Sequence, residues 1–278
     1  MTIHAGIAGW PVAHSRSPLI HGAWLAGFGI DGSYERLPVP PEEAEVFFST
    51  LGERGLAGCN VTVPLKEIAF RAAAEADPVA RALGAANTLW LEDGVLHAAN
   101  TDVFGFLANL DQRAPGWDAD PGAALVLGAG GAARGIVYAL AARGFAPITI
   151  ANRTRARAEE VARLDPARVR VADWMELPAR LVEAGLLVNT TSLGMAGQPP
   201  LALDLAPLPG TALVTDIVYV PLVTPLLAAA AARGLRTVDG LGMLLHQAVP
   251  GFERWFGRRP AVTEALRARV IADIEGRP

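Results

Sequence analysis

Three observations predict an α/β fold of two domains. Short apolar runs alternate with helical stretches along most of the chain, a glycine turn at residues 128–131 interrupts that alternation near its middle, and 278 residues, 51% hydrophobic, suffice for two buried cores. In order, residues 5–8 read as a strand, 18–27 as a helix, 34–39 as a strand, 42–51 as a helix and 59–63 as a strand. Asp77-Pro78 is an N-cap followed by proline at the first helical position. Residues 87–91 and 95–98 flank Glu92-Asp93-Gly94, a hairpin cue. Past the turn, strands are expected at 124–127, 147–151, 169–171, 186–189, 213–217 and 236–238. Residues 132–143 form a helix closed by Gly144, Thr224-Pro225 begins an alanine-rich helix ending at Gly234, and the tail from Met243 is helical. There is no repeat and no low-complexity linker, and short βα connections imply a compact protein.

The glycine turn, LVLGAGGAAR at 125–134, has the Gly-x-Gly-x-x-Ala spacing of a dinucleotide loop. Gly128 permits the tight turn, Gly130 lets backbone approach a pyrophosphate, and Ala133 is small enough for helix to pack on strand. The helix opening near Gly131 offers free N–H groups and a favourable dipole to the anion. Such a pattern alone is weak, but the strands and helix around it supply the βαβ context of a Rossmann-type doubly wound domain. About twenty residues on, where an acid would bind the ribose of NAD, stand Asn152, Arg153 and Thr154, followed by Arg155 and Arg157. Planar donors and positive charge there favour the 2′-phosphate of NADP. The competing reading is a solvated Arg-rich helix start, although arginines at a helix N-terminus oppose its dipole.

Composition excludes several classes. Twenty-four Lys plus Arg against 28 Asp plus Glu give a net charge of −4, which argues against general nucleic-acid binding. No apolar run approaches ~18 residues, and the opening MTIHAGIAGWPVAHS lacks the basic start and apolar core of a signal peptide. Cys59 is the only cysteine, so no intramolecular disulfide forms and a cytoplasmic, reducing compartment fits. His4, His14, His21, His97 and His246 form no i,i+4 pair, and no metal is expected.

Four polar clusters lie where strands of the first half end, the place ligand sites gather in α/β proteins. Ser15 and Ser17 precede a helix that proline initiates; they can cap it, or together bind a carboxylate. Asn60 and Thr62 share one side of a strand, and Lys66 opens the next helix, an electrostatically awkward place that suits proton transfer, though a lone lysine is ordinarily a surface residue. The remaining clusters are Gly84-Ala-Ala-Asn87-Thr88 and Asn100-Thr101-Asp102. Thr101 or Asp102 by default caps the helix running to Leu110, yet Asp102 also offers the carboxylate that Lys66 needs.

Together these motifs resemble the shikimate dehydrogenase family over nearly the whole chain. The matching stretches, in the family's order, are GWPVAHSRSPLIH, GCNVTVPLK, GAANT, NTD, LGAGGAARG, NRT, NTTSLGM, DIVYVPLVTPLL and GLGMLLHQA. The resemblance implies a two-domain oxidoreductase that reduces 3-dehydroshikimate to shikimate with NADPH, on the route to chorismate and the aromatic amino acids. Residues 1–102 with 240–278 would form the substrate domain and 103–239 the NADP domain, the C-terminal helices returning to the first.

By the same resemblance Lys66 and Asp102 are the catalytic pair, and Ser15 and Ser17 hold the substrate carboxylate. Asn60, Thr62, Asn87, Asp102 and Gln247 would bind its ring hydroxyls, while Tyr219 reaches the carboxylate end from the cofactor domain. Gly128, Ala129, Gly130, Gly131 and Ala132 would hold the pyrophosphate; Asn152, Arg153, Thr154 and Arg157 the NADP phosphate; and Met243 lies near the nicotinamide. Gly22 stands where the family commonly has asparagine after the histidine, and Ala99 and Val103 replace frequent polar or glycine neighbours of NTD. Ser17 favours shikimate over quinate. The expected partner is thus a small molecule, with neither nucleic acid nor membrane, and the protein is a monomer or homodimer. The competing functions are a quinate/shikimate dehydrogenase using NAD, against which the arginines stand, and a non-catalytic NADP-binding sensor, which has no reason to keep both Lys66 and Asp102.

Overall fold

The computed structural model describes residues Thr2 to Gly276, and the chain divides into two compact units. One joins Met1–Gly105 with Leu245–Pro278; the other is Phe106–Leu244. Both divisions fall inside helices, a few residues from the sequence-derived positions 102 and 240, because a continuous helix shows no change of composition where it leaves one core for another.

The first unit carries β1 (Ile3–Gly9), α1 (Ser17–Phe28), β2 (Gly32–Pro38), α2 (Ala44–Ser49), β3 (Leu56–Val61), α3 (Lys66–Ala72), β4 (Glu75–Ala76), α4 (Pro78–Leu83), β5 (Thr88–Glu92) and β6 (Val95–Ala99). Its sheet runs β2-β1-β3-β5-β6-β4. The first three strands are parallel, and β5 and β6 are the expected antiparallel hairpin. Asn60 lies opposite Thr88 and Thr88 opposite Ala99, so the end of β3, the start of β5 and the end of β6 share one edge of the sheet. Phe48, Leu51, Leu65 and Leu89 anchor the core on one face. Asp77 caps α4 as the sequence predicts, accepting from the Ala80 N–H at 2.6 Å.

Two helices cross the divisions: α5 (Asp102–Arg113) opens the second unit and α10 (Leu241–Phe256) leads back to the first, where α11 (Glu264–Ile274) follows. Indole N–H groups tie this return to the first unit. Trp255 donates to the Leu89 carbonyl at 2.9 Å and Trp24 to the Ala261 carbonyl at 3.3 Å.

The second unit holds β7 (Ala123–Leu127), α6 (Gly131–Ala142), β8 (Ile148–Ala151), α7 (Arg155–Ala162), β9 (Val169–Ala172), α8 (Leu177–Glu183), β10 (Ala184–Asn189), β11 (Leu213–Asp216), α9 (Pro225–Ala232) and β12 (Arg236–Val238). All six strands are parallel in the order β12-β11-β10-β7-β8-β9. That is the doubly wound order, whose reversal between β7 and β10 opens the crevice where dinucleotides bind. Its strands are the near-continuous apolar runs that a sheet covered on both faces requires.

Candidate active site

The catalytic candidates meet at the shared edge of the first sheet. Lys66 is the first residue of α3 and Asp102 the first of α5. The Lys66 Nζ donates to Asp102 Oδ2 at 2.5 Å, with the side chains 29% and 19% exposed. An acid suits the start of α5, whereas the ammonium of Lys66 opposes the dipole of α3 and gains its compensation from that acid. Asn87 donates to Asp102 Oδ1 at 2.8 Å and to Gln247 Oε1 at 3.4 Å. Both oxygens of the carboxylate are therefore engaged, and α10 delivers Gln247 to the group.

Neither Thr101 nor Asp102 caps α5 through its side chain. Asn100 Oδ1 accepts from the Asp102 N–H at 3.1 Å, while the Thr101 hydroxyl donates to the Gln247 carbonyl at 2.8 Å. Capping by Ser15 and Ser17 is also not what the structure uses. The N-cap of α1 is Arg16, without a side-chain cap, and Ser15 Oγ accepts only the Ser17 N–H at 3.3 Å. Arg36 on β2 holds the Ser15 carbonyl at 2.7 and 3.1 Å, and Ser17 is buried. Thr62 follows β3 and continues its ladder, its N–H donating to the Ala8 carbonyl at 2.8 Å. Asn60 is buried, with both amide protons committed to the Asn87 carbonyl and the Thr88 hydroxyl at 3.2 and 3.1 Å. Cys59, beside it, is buried, and burial pushes its thiol well above the usual range, away from reactivity.

In the second unit Gly128 has φ +101° at the end of β7, and a side chain there would meet Thr190 Oγ1 at 2.8 Å and the Thr191 N at 3.1 Å. Gly130, the N-cap of α6, and Gly131 face open space instead. That helix start has no side-chain cap, and Ala133 behind it is fully buried. An uncapped N-terminus with room in front of its glycines fits a pyrophosphate. Asn152 Nδ2 donates to the Thr154 carbonyl at 2.8 Å, shaping the bend after β8. Arg155 is spent on Glu159 and Asp173 at 3.0 and 2.8 Å, whereas Arg153 and Arg157 make no ion pair among the described residues and are exposed. Of the arginines that favour NADP, these two remain for a phosphate.

Sequence reasoning missed a network behind this loop. Asp216 at the end of β11 is buried, accepting from Asn189 Nδ2 at 3.0 Å, the Val218 N–H at 3.0 Å and the Thr224 hydroxyl at 2.8 Å. Burial raises its carboxyl above the ordinary range, against the three donors. Asn189 Oδ1 in turn accepts from Thr191 N–H and hydroxyl at 3.0 and 2.7 Å, fixing the stretch that faces Gly128. The motifs NTTSLGM and DIVYVPLVTPLL were its visible signal. Tyr219 and Met243 are both partly exposed within this unit. Among the described residues no group of three or more His, Cys, Asp or Glu can hold a metal, and no helix is long and apolar enough to cross a membrane.

Comparison with known proteins matches residues 7–89 to the shikimate dehydrogenase substrate binding domain, 113–195 to the shikimate / quinate 5-dehydrogenase family and 240–270 to the shikimate 5′-dehydrogenase C-terminal domain. The chain belongs to the shikimate dehydrogenase family. Among family members, it is 63% identical to the shikimate dehydrogenase (NADP(+)) of Azorhizobium caulinodans over 96% of this chain and 95% of that one. Among solved structures of the family, the shikimate 5-dehydrogenase of Thermus thermophilus with NADP(H) and shikimate is similar at TM-score 0.86 and 35% identity, covering 96% and 99% of the two chains. The quinate dehydrogenase of Corynebacterium glutamicum in complex with NAD reaches TM-score 0.88 at 29% identity, covering 97% and 99%.

Proposed function

We propose that the chain is an NADP-dependent shikimate dehydrogenase, interconverting 3-dehydroshikimate and shikimate on the route to chorismate and the aromatic amino acids. The observation that carries this reading is the Lys66–Asp102 pair at 2.5 Å, with Asn87 bridging to Gln247, in a chain 63% identical to a relative of that name.

NADPH, when bound, supplies the hydride. Reduction of a ketone leaves negative charge on its oxygen, so a proton donor or a fixed cation must lie beside that atom. Lys66 Nζ provides either, and Asp102 Oδ2 holds it in place. In the oxidative direction the neutral amine takes the hydroxyl proton, with Asp102 orienting amine and hydroxyl. Ser15, Ser17 and Tyr219 bind the carboxylate. Thr62, Asn87, Asp102 and Gln247 take the ring hydroxyls, and Asn60, its amide protons committed, offers only the remaining lone pair of Oδ1. Residues 128–132 would hold the pyrophosphate, Asn152, Arg153, Thr154 and Arg157 the 2′-phosphate, and Met243 would serve the nicotinamide. The first unit is then the substrate domain and the second the cofactor domain. A cytoplasmic, reducing compartment suits the lone buried Cys59.

Assays of the purified protein with shikimate and quinate, each with NADP and NAD, test this. The kcat/KM with shikimate and NADP is expected to exceed the other three by about tenfold or more. Preference for quinate with NAD, or no oxidation of shikimate, overturns it.

A further inference from the structure

Tyr34 has no part in the chemistry above, yet it is placed to govern it. It stands on β2, 7% exposed, its ring stacked on His21 with centroids 3.8 Å apart and planes 2° from parallel. Its hydroxyl donates to Asn60 Oδ1 at 2.6 Å. An asparagine amide fits the same space in two orientations that exchange donor and acceptor; the Asn87 carbonyl, which can only accept, takes Nδ2 at 3.2 Å and turns Oδ1 to Tyr34, whose short hydrogen bond braces that orientation. Burial pushes the Tyr34 phenol well above its ordinary range, the Cys59 thiol adds to this and the Ser17 hydroxyl opposes it. The group therefore stays protonated and available to donate. His21 beneath it is held neutral, since burial lowers its pKa to about 3 and the nearby Asn60 amide opposes that only in part; neither ring nitrogen makes a hydrogen bond of ordinary geometry.

From Asn60 the orientation propagates. Its Nδ2 donates to Thr88 Oγ1 at 3.1 Å, and that hydroxyl, having accepted, turns its proton to Asn87 Oδ1 at 3.2 Å and the neighbouring Thr101 Oγ1 at 3.3 Å. With its oxygen turned inward, Asn87 presents Nδ2 to Asp102 Oδ1 at 2.8 Å, and Asp102 Oδ2 holds Lys66. Each donor in the series points towards Asp102. The Thr101 N–H also donates to Asn87 Oδ1, at 2.7 Å, so Tyr34 shares the control rather than holding all of it.

We propose that Tyr34 is a positioning residue for the Lys66–Asp102 pair, its buried hydroxyl bracing the amide of Asn60 and, through Thr88 and Asn87, the hydrogen bond that orients Asp102. This rests on the functional reading above. It assigns Asn60 the role of a relay in addition to any contact with substrate.

Tyr34→Phe in the full chain keeps the ring and its stack and removes the donor. With shikimate and NADP, kcat falls by about tenfold, while KM for NADP stays within about twofold. The decisive arm is the double variant with Asp102→Asn. If Tyr34 acts through Asp102, its substitution costs less than about twofold more in that background; losses that multiply in full overturn the proposal. So does wild-type kcat in Tyr34→Phe. Should that variant fail to fold, Thr88→Val and Thr88→Ser probe the same series at its middle. The valine loses kcat and the serine recovers most of it, whereas equal kcat in the two overturns the proposal. A wild-type chain inert towards shikimate overturns the functional reading and this inference with it. An active wild type with an indifferent Tyr34→Phe overturns this inference alone.

Discussion

Lys66 and Asp102 were named as a pair by the family resemblance; the residues themselves offered only the hint that each is ionisable, at the start of a helix beside a strand end. The dipole disfavours one and favours the other, which argues for their pairing. Replacing Lys66 by alanine is expected to lower kcat by ~10²- to 10⁴-fold and leave the KM for NADP within about threefold. Steady-state kinetics with shikimate measure it, and near wild-type turnover would remove Lys66 from the mechanism. Tyr34 and Arg36 were not legible, and Thr88 and Thr101 were read only as members of polar clusters, without their partners. Along a strand a hydroxyl or a long basic side chain reads as an ordinary half-buried residue, and its partners lie up to 146 positions away, as for Thr101 and Gln247. His21 carries a further consequence. Burial lowers its pKa from the ordinary 6.5 to about 3 in the folded chain, so the unfolded chain binds the extra proton between those values. The stability it allows is complete above about pH 6.5 and falls by up to ~1.4 kcal/mol per unit as pH drops towards 3. His21→Phe should flatten the slope of unfolding midpoint against pH between 4 and 6.5, and an unchanged slope would refute the assignment.

At the scale of elements, the two glycines of the turn do different things. Gly128 is required by the protein itself, with φ +101° and the Thr190–Thr191 stretch in the way of any side chain. Gly130 has φ −85° and open space before it, so only a ligand has use for its bareness. Gly128→Ala is expected to cost about 2–4 kcal/mol in urea unfolding. Gly130→Ala should leave stability within about 0.5 kcal/mol while raising the KM for NADP about tenfold. Loss of stability in both, or in neither, would contradict the division. The glycine pattern showed the turn but not this difference, which depends on Thr190 and Thr191 arriving from β10. The longer strands and their turns were readable from apolar runs. The two-residue β4 was not, since Glu75–Ala76 is too short to show a period and exists by pairing with β6.

At the scale of the whole molecule, the first unit is discontinuous, its sheet in the front of the chain and two of its helices at the back. Apolar periodicity shows helices at the tail but not which core they serve; that came only from the family resemblance and depends on contacts such as Trp255 with Leu89 and Arg16 with Asp273 at 2.9 Å. A chain ending at Leu244 should keep the 106–244 unit, while the front of the chain loses the cover of α10 and α11. Limited proteolysis of that truncated protein is expected to digest residues up to 105 and spare 106–244, and equal resistance of the two would show the front unit to be self-sufficient.

The same arrangement sets an order on the ribosome. Domains generally fold as units as they emerge, but the front part of the first unit must wait for residues that follow the second unit. The indole of Trp24 and the carbonyl of Leu89 have no Ala261 or Trp255 to meet until the second unit has all its strands. Nascent-chain protection by chaperones should therefore concentrate on residues up to 105, made before the second unit and completed after it.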